Sequence, residues 1–286
     1  MTVLEAESLW KTFGATVALR DVSLSLGRGL HVLAGPNGSG KTTLLKIWAG
    51  LLKPSRGQAR ALGLNPWLNR SKLLGRLHVA FEDIPLPWWT TGVDYMKHVA
   101  HSRGVKWGDV VELAERLGVA GYWGRPIRGY SSGMKKRVLL LQALIGEPEV
   151  IVLDEPYTLL DLNSITSLHS VVEEKLRSGA TIVIATHIFT KLEDRADTLT
   201  ILHNGAVLAH TTRESLSETS RIVCEDREAV EEIARGAAER VEKAVIEGDR
   251  VTLVASGFKS HQGTLEKCRR EASLKDFYER ELTRRM

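Results

Sequence analysis

Gly35-Pro36-Asn37-Gly38-Ser39-Gly40-Lys41-Thr42-Thr43 has the spacing G-x-x-x-x-G-K-[ST], with which a backbone cradles a polyphosphate. The glycines let successive N–H groups close on phosphate oxygens, and a following helix adds the positive end of its dipole. Lys41 is placed to reach the β- and γ-phosphates, and the Thr42 hydroxyl to hold Mg²⁺. A second cluster ends the apolar run Glu149-Val150-Ile151-Val152-Leu153-Asp154-Glu155-Pro156. Carboxylates at the C-terminal end of a core strand sit where α/β sheets bind ligands. Asp154 is expected to organise Mg²⁺ and Glu155 to polarise an attacking water. Strand alternation points the two side chains in different directions.

These groups need a frame. Residues 31–34, 150–153, 181–185 and 198–203 are short aliphatic or β-branched runs, as in buried strands of a parallel sheet with helices between them. Residues 3–9 and 17–26 alternate apolar and polar, which predicts antiparallel strands with one face covered. Residues 43–49 read as the helix behind the phosphate loop, and 163–177 as an amphipathic helix ending near Gly179. The stretch 85–145 is mostly helical in pattern and carries Trp88, Trp89, Trp107 and Trp123; it is expected to form a lobe inserted into the α/β core. After about 215 the style changes. A strand is expected at 221–224, a charged helix at 226–236, a hairpin of 241–247 with 251–255 turning at Gly248-Asp249, and a last helix over 263–284.

Tyr130-Ser131-Ser132-Gly133-Met134-Lys135-Lys136-Arg137, followed by Asp154-Glu155-Pro156, resembles the signature segment of ATP-binding cassette (ABC) ATPases. The usual segment reads Leu-Ser-Gly-Gly-Gln. Ser131 and Gly133 match it, while Tyr130, Ser132 and Met134 depart. Further matches follow in order: Leu159-Leu160-Asp161 resembles the loop at the dimer interface, His187 the histidine that senses the γ-phosphate, and Phe13 the aromatic that stacks on adenine. The resemblance covers about 1–215. It implies a P-loop ABC-ATPase core, with a mixed sheet, an antiparallel β subdomain and the helical subdomain at 85–145, followed by a small α+β domain at 216–286. It also implies ATP and Mg²⁺ as ligands. Phe13, Gly35, Asn37, Gly38, Ser39, Gly40, Lys41, Thr42, Thr43, Ser131, Ser132, Gly133 and Asp161 are the expected nucleotide contacts. Thr42, Asp154 and Glu82 are the expected metal contacts, and Glu155, His187 and Lys41 the catalytic groups. Where the family has a glutamine, Glu82 stands. That predicts weaker nucleotide affinity, or a stronger need for Mg²⁺, than Glu82→Gln would show.

In this family two copies complete one site, and a membrane subunit docks near the segment after residue 82. Here that segment is Pro85-Leu86-Pro87-Trp88-Trp89, which reads either as a docking surface or as core of the helical lobe. Ala272-Ser273-Leu274-Lys275-Asp276-Phe277-Tyr278 resembles a segment of exporter-branch cassettes, with Lys275 in place of an acidic residue. The implied function is an ATPase subunit driving export through a separate transmembrane permease, as a homodimer or with a paralogous subunit. An importer ATPase and a soluble cassette acting on nucleic acid or ribosomes are the alternatives. The 286 residues carry a net charge of +4, with 43% hydrophobic and 26% charged residues. That charge is too mild and scattered to predict a nucleic-acid partner. The longest apolar runs fall far short of the ~20 residues that span a bilayer, and no signal peptide is read at the start. Cys224 and Cys268 have no metal spacing and read as reduced thiols. The expected location is the cytoplasmic side of the membrane, held there by the permease.

Overall fold

The computed structural model describes residues 2–216, 219–224, 241–247, 250–256, 268–271 and 274–285. Contacts group them into two compact units: Met1–Ile188 with Thr200–Ala209, and Phe189–Leu199 with His210–Met286.

The first unit opens with β1 (Leu4–Phe13) and β2 (Thr16–Leu26), which pair antiparallel, and β4 (Arg56–Ala61) adds to the other side of β1. The second sheet has the order β5-β6-β7-β3-β8-β9, from β5 (Leu77–Ala80), β6 (Val150–Asp154), β7 (Thr181–Thr186), β3 (Leu30–Ala34), β8 (Thr198–His203) and β9 (Ala206–Thr212). β5, β6, β7 and β3 run parallel. Every residue of β3, β6 and β7 is buried, which is why these runs lack the alternation of β1 and β2. β4 was not expected: Arg-Gly-Gln-Ala-Arg-Ala has almost no β-branched or aromatic content and is held in place by its ladder with β1.

α1 (Lys41–Trp48) packs between the two sheets. Leu44, Leu45, Ile47 and Trp48 join a buried cluster with Leu4, Leu19, Leu33, Phe81, Val152 and Val183. The Trp48 indole donates to the Glu5 carbonyl at 2.8 Å, so a polar atom in the core has its partner. After β4 come the one-turn α2 (Arg70–Leu73) and then α3 (Gly92–Arg103), α4 (Trp107–Arg116) and α5 (Ser132–Leu144). The helical expectation for 85–145 is met by the last three. Trp107 stacks on Trp123 at 5.4 Å, and Tyr122 meets Tyr130 edge-on at 5.1 Å. Trp88 and Trp89 do otherwise: they are 63% and 73% exposed, so the core-packing reading of that pair does not hold. α6 (Leu162–Arg177) spans the predicted helix, with Lys175 and Arg177 in its last turn, where they complement the dipole.

In the second unit Phe189 lies against Tyr278, ring centroids 5.1 Å apart. Glu193 accepts from the Thr190 N–H at 2.7 Å. The one-turn α7 (Arg213–Leu216) leads to an antiparallel sheet of order β11-β12-β10-β13, built from β10 (Thr219–Cys224), β11 (Val241–Glu247), β12 (Arg250–Ser256) and β13 (Cys268–Glu271). The hairpin of β11 and β12 was expected; the turn between them and the helix expected at 226–236 lie outside the described residues. The long helix expected at 263–284 is overturned in its middle. Cys268–Glu271 is a strand on β10, and helix α8 covers only Leu274–Arg285. Pairing to β10 outweighs a weak helical pattern there, and it places Cys268 opposite Cys224 in the ladder.

Candidate functional site

The phosphate loop links β3 to α1 and is shaped by close packing. Gly35 has φ +153°, and a Cβ there would stand 2.3 Å from the Leu202 carbonyl oxygen; at Gly40, φ +104°, it would stand 2.7 Å from that of Ala18. Only glycine accommodates both the backbone conformation and the contacts. α1 then starts with no side chain capping its first turn and no acidic residue in that turn. Its N–H groups are left to an anion. Lys41, 5% exposed, donates to the carbonyls of Gly35 at 2.7 Å and Pro36 at 3.3 Å. Thr42 donates to Asp154 Oδ2 at 2.7 Å.

β6 delivers the carboxylates. Asp154 is 4% exposed. Burial raises its pKa above the ordinary carboxylate value, and the Thr42 hydrogen bond opposes that shift. Glu155 follows at φ +46°, an uncommon conformation for a side chain of this size. Its N–H is held by the Ala185 carbonyl at 2.8 Å. That backbone turns the carboxylate between two side chains: Oε1 lies 3.3 Å from Lys41 Nζ, and Oε2 2.9 Å from His187 Nδ1, just past the end of β7. Lys41, Thr42, Asp154, Glu155 and His187, five residues predicted from sequence, therefore form one contact network.

The other predicted residues fall into separate groups. Ser131 caps α5 by accepting from the Met134 N–H at 3.2 Å. Gly133 has the Leu159 carbonyl oxygen 2.8 Å from where a Cβ would be. Asp161 caps α6 by accepting from the Ser164 N–H at 2.8 Å, which holds its carboxyl below the usual range. Ser131, Ser132 and Asp161 are exposed. Phe13 ends β1 at 48% exposure, with Lys11 Nζ 4.8 Å above its ring. Asn37 and Gly38 are exposed at the loop tip, and Thr43 is half-buried on α1. Glu82 sits two residues past β5, with its carboxylate 3.9 Å from Lys136 Nζ and accepting from the Thr158 hydroxyl at 3.4 Å. Its contacts are with these two residues rather than with Thr42 or the Asp154 carboxylate.

Lys136 and Thr158 were missed from sequence. Lys136 is 3% exposed and donates to the Asp154 carbonyl at 3.0 Å. The signal was available: residues 136, 140 and 143 share one face of α5, so a lysine stands on an apolar stripe. Three oxygens at the site, Ser39 Oγ, Asp154 Oδ1 and Glu155 Oε1, are buried with no hydrogen-bond partner among the described residues, and polar atoms of this kind are open to a ligand or water. Thr42, Asp154 and the amides of the loop are hard-oxygen and N–H groups suited to Mg²⁺ and phosphate. Among the described residues no three His, Cys, Asp or Glu side chains converge as a metal cluster.

A family model described as ABC transporter matches residues 19–158. Among curated proteins, the lantibiotic transport ATP-binding protein SrtF of Streptococcus pyogenes is 31% identical over 207 residues, covering 72% of this chain and 89% of that protein. The ABC transporter ATP-binding protein NatA of Bacillus subtilis is 31% identical over 210 residues, covering 71% and 85%. The bacitracin transport ATP-binding protein BcrA of Enterococcus faecalis is 30% identical over 222 residues, covering 77% and 72%. Among solved structures, an ATP-binding subunit of an ABC transporter superposes with TM-score 0.68 at 28% identity, covering 75% of this chain and 92% of that one. A dimeric cassette bound to ADP and phosphate superposes with TM-score 0.66 at 21% identity, covering 74% and 99%, which speaks to the fold.

Proposed function

The chain belongs to the ATP-binding subunits of ABC transporters, and on that premise we propose that it hydrolyses ATP to power export through a separate membrane-spanning subunit. The relatives named for lantibiotic and bacitracin transport support the exporter reading. Among the described residues no helix is long and apolar enough to cross a membrane, and in this reading a partner supplies the path. The exposed Trp88 and Trp89, 5.7 Å apart edge-on, are our candidate for the surface that meets it at the cytoplasmic face.

The network around Lys41 carries the catalytic reading. Lys41 and the α1 amides would neutralise the β- and γ-phosphates, and Phe13 would stack on the base. Mg²⁺, held by Thr42 and Asp154, would supply charge neutralisation between the phosphates. Glu155, fixed by its backbone and by His187, would accept a hydrogen bond from the attacking water and align it in line with the γ-phosphate. Lys41 is the cation that must exchange Glu155 for phosphate as the nucleotide enters. In the closed dimer, Ser131, Ser132 and Gly133 of a second copy would cover the γ-phosphate. Asp161 would stand at the interface.

Glu155→Gln keeps the shape and removes the charge. It is expected to bind ATP at least as well as the parent, to lose hydrolysis by about 10²-fold or more, and to accumulate as a dimer with ATP by size-exclusion chromatography. Hydrolysis at the parent rate would remove Glu155 from the mechanism.

A further inference from the structure

Phe13 stands at the tip of the β1–β2 hairpin, and that tip is not buried: residues 12–16 are all exposed. The ladders weaken there as well. The register with β2 shifts between Lys11 and Thr12, and past the shift only Thr12 opposite Val17 and Phe13 opposite Thr16 remain. On the other side the last rung with β4 is Trp10 opposite Arg56. Pro54, which has no N–H to donate, cannot supply a full rung beyond it. Two rungs of an exposed ribbon hold a ring only loosely.

Residues 53–55 add the support. The Ser55 N–H donates to the Trp10 carbonyl at 2.8 Å. The Ser55 hydroxyl accepts the Thr12 N–H at 3.0 Å and lies 3.2 Å from the Thr12 hydroxyl, so a side chain takes the place of the missing rung. Lys11 Nζ donates to the Lys53 carbonyl at 2.9 Å and rests 4.8 Å from the centre of the Phe13 ring. The cation lies over one face, and the ring keeps 48% exposure for a base.

These anchors lead back to the phosphate end of the site. Residues 53–55 follow α1, whose first turn carries Lys41 and Thr42. The chain between them stays hydrogen-bonded: the N–H groups of Ala49 and Gly50 go to the carbonyls of Leu45 and Ile47, and those of Leu51 and Leu52 to that of Lys46. α1 is also tied to β1 by the Trp48 indole on the Glu5 carbonyl. One helix thus carries the phosphate loop at its start and the support of the Phe13 ring past its end.

We propose that Ser55 is a positioning residue: its hydroxyl clasps Thr12 and fixes the Phe13 ring at a set distance from the phosphate loop, so that a nucleotide meets its base platform and its phosphate cradle already in register. The proposal rests on the reading of this site as one for ATP. Preorganisation of this kind adds affinity by removing the cost of ordering the tip on binding. It acts on the ring and not on the edge of the base, and every base has a face to stack.

The test compares probes on the full chain by calorimetry, all with Mg²⁺: non-hydrolysable analogues of ATP and GTP, and tripolyphosphate, which has the phosphates without the base. Ser55→Ala is expected to bind the ATP analogue roughly three- to tenfold more weakly, the range for one hydrogen bond, and tripolyphosphate within about twofold of the parent. The GTP analogue should lose as much as the ATP analogue. In a Phe13→Ala background, Ser55→Ala should change the affinity for the ATP analogue by less than about twofold. Equal losses for analogue and tripolyphosphate would make Ser55 a support of the whole site and overturn the proposal. Unchanged binding of the ATP analogue, a loss confined to one base, or a full loss that persists without the Phe13 ring would overturn it too. Should Ser55→Ala fail to fold, Ser55→Cys, with a weak acceptor in place of the hydroxyl, serves instead. A parent that binds none of the probes would defeat the ATPase reading itself.

Discussion

His78 on β5 shows how a single buried group writes a pH dependence into the protein. It is 2% exposed, its Nδ1 donates to the Ala143 carbonyl at 3.1 Å, and the Arg103 guanidinium lies 3.3 Å away. Burial first, then the Arg103 charge, lowers its pKa to about 4. The folded protein therefore keeps this imidazole neutral while the unfolded chain takes up a proton near pH 6.5. Stability is unaffected above that value and falls as pH drops from 6.5 toward 4, at up to about 1.4 kcal/mol per pH unit. Urea midpoints measured from pH 7 to 4.5 should fall less steeply for His78→Asn than for the parent; parallel slopes would show that other groups control acid sensitivity. Leu159 illustrates strain instead. It has φ +65° with a side chain 58% exposed, so its conformation costs about 1–2 kcal/mol and little packing repays it. Leu159→Gly is expected to be neutral or stabilising by up to ~1 kcal/mol in denaturant titrations. A clear loss of stability would mean that the leucine packs more than its exposure implies. The phosphate loop, the paired carboxylates and His187 were legible because their chemistry dictates residue type and spacing. Lys136 was not, since a lysine is ordinarily solvated and only helical phase marks this one as inward.

At the scale of elements, legibility followed how strongly each segment's own pattern constrained it. β3, β6 and β7 were readable because strands covered on both faces must be continuously apolar. β4 was not, because Arg-Gly-Gln-Ala-Arg-Ala holds its place through its neighbour β1 rather than through its own preference, and the same holds for β13 on β10. The segment 85–89 is the element whose sequence allowed two readings, and exposure of both tryptophans removes the core-packing one. Replacing both with alanine should leave ATP turnover of the isolated chain within about twofold, since neither touches the Lys41 network, and should abolish recovery of a complex with the membrane subunit. Collapse of the isolated chain on replacement would return these residues to a structural role.

For the whole molecule, the division into two units is not a division of the chain into two halves. The chain passes from the first unit to the second at residue 189, returns for 200–209 and leaves again at 210. Nucleotide contacts proposed here belong to the first unit alone. In calorimetry of Glu155→Gln, ATP at 100 times its Kd should stabilise that unit by about 2.7 kcal/mol and move one transition; movement of a single shared transition would mean that the units unfold together. The order of the six-stranded sheet has a further consequence, for synthesis. β3 leaves the ribosome early, yet its neighbours are β7 and β8, which come at Thr181–Thr186 and Thr198–His203. Until they arrive, the strand that carries the phosphate loop has both edges unpaired, the condition under which nascent chains are prone to mispairing. ATP therefore has no finished cradle to recruit while the protein is being made. It rewards the sheet only after the last of these strands is in place.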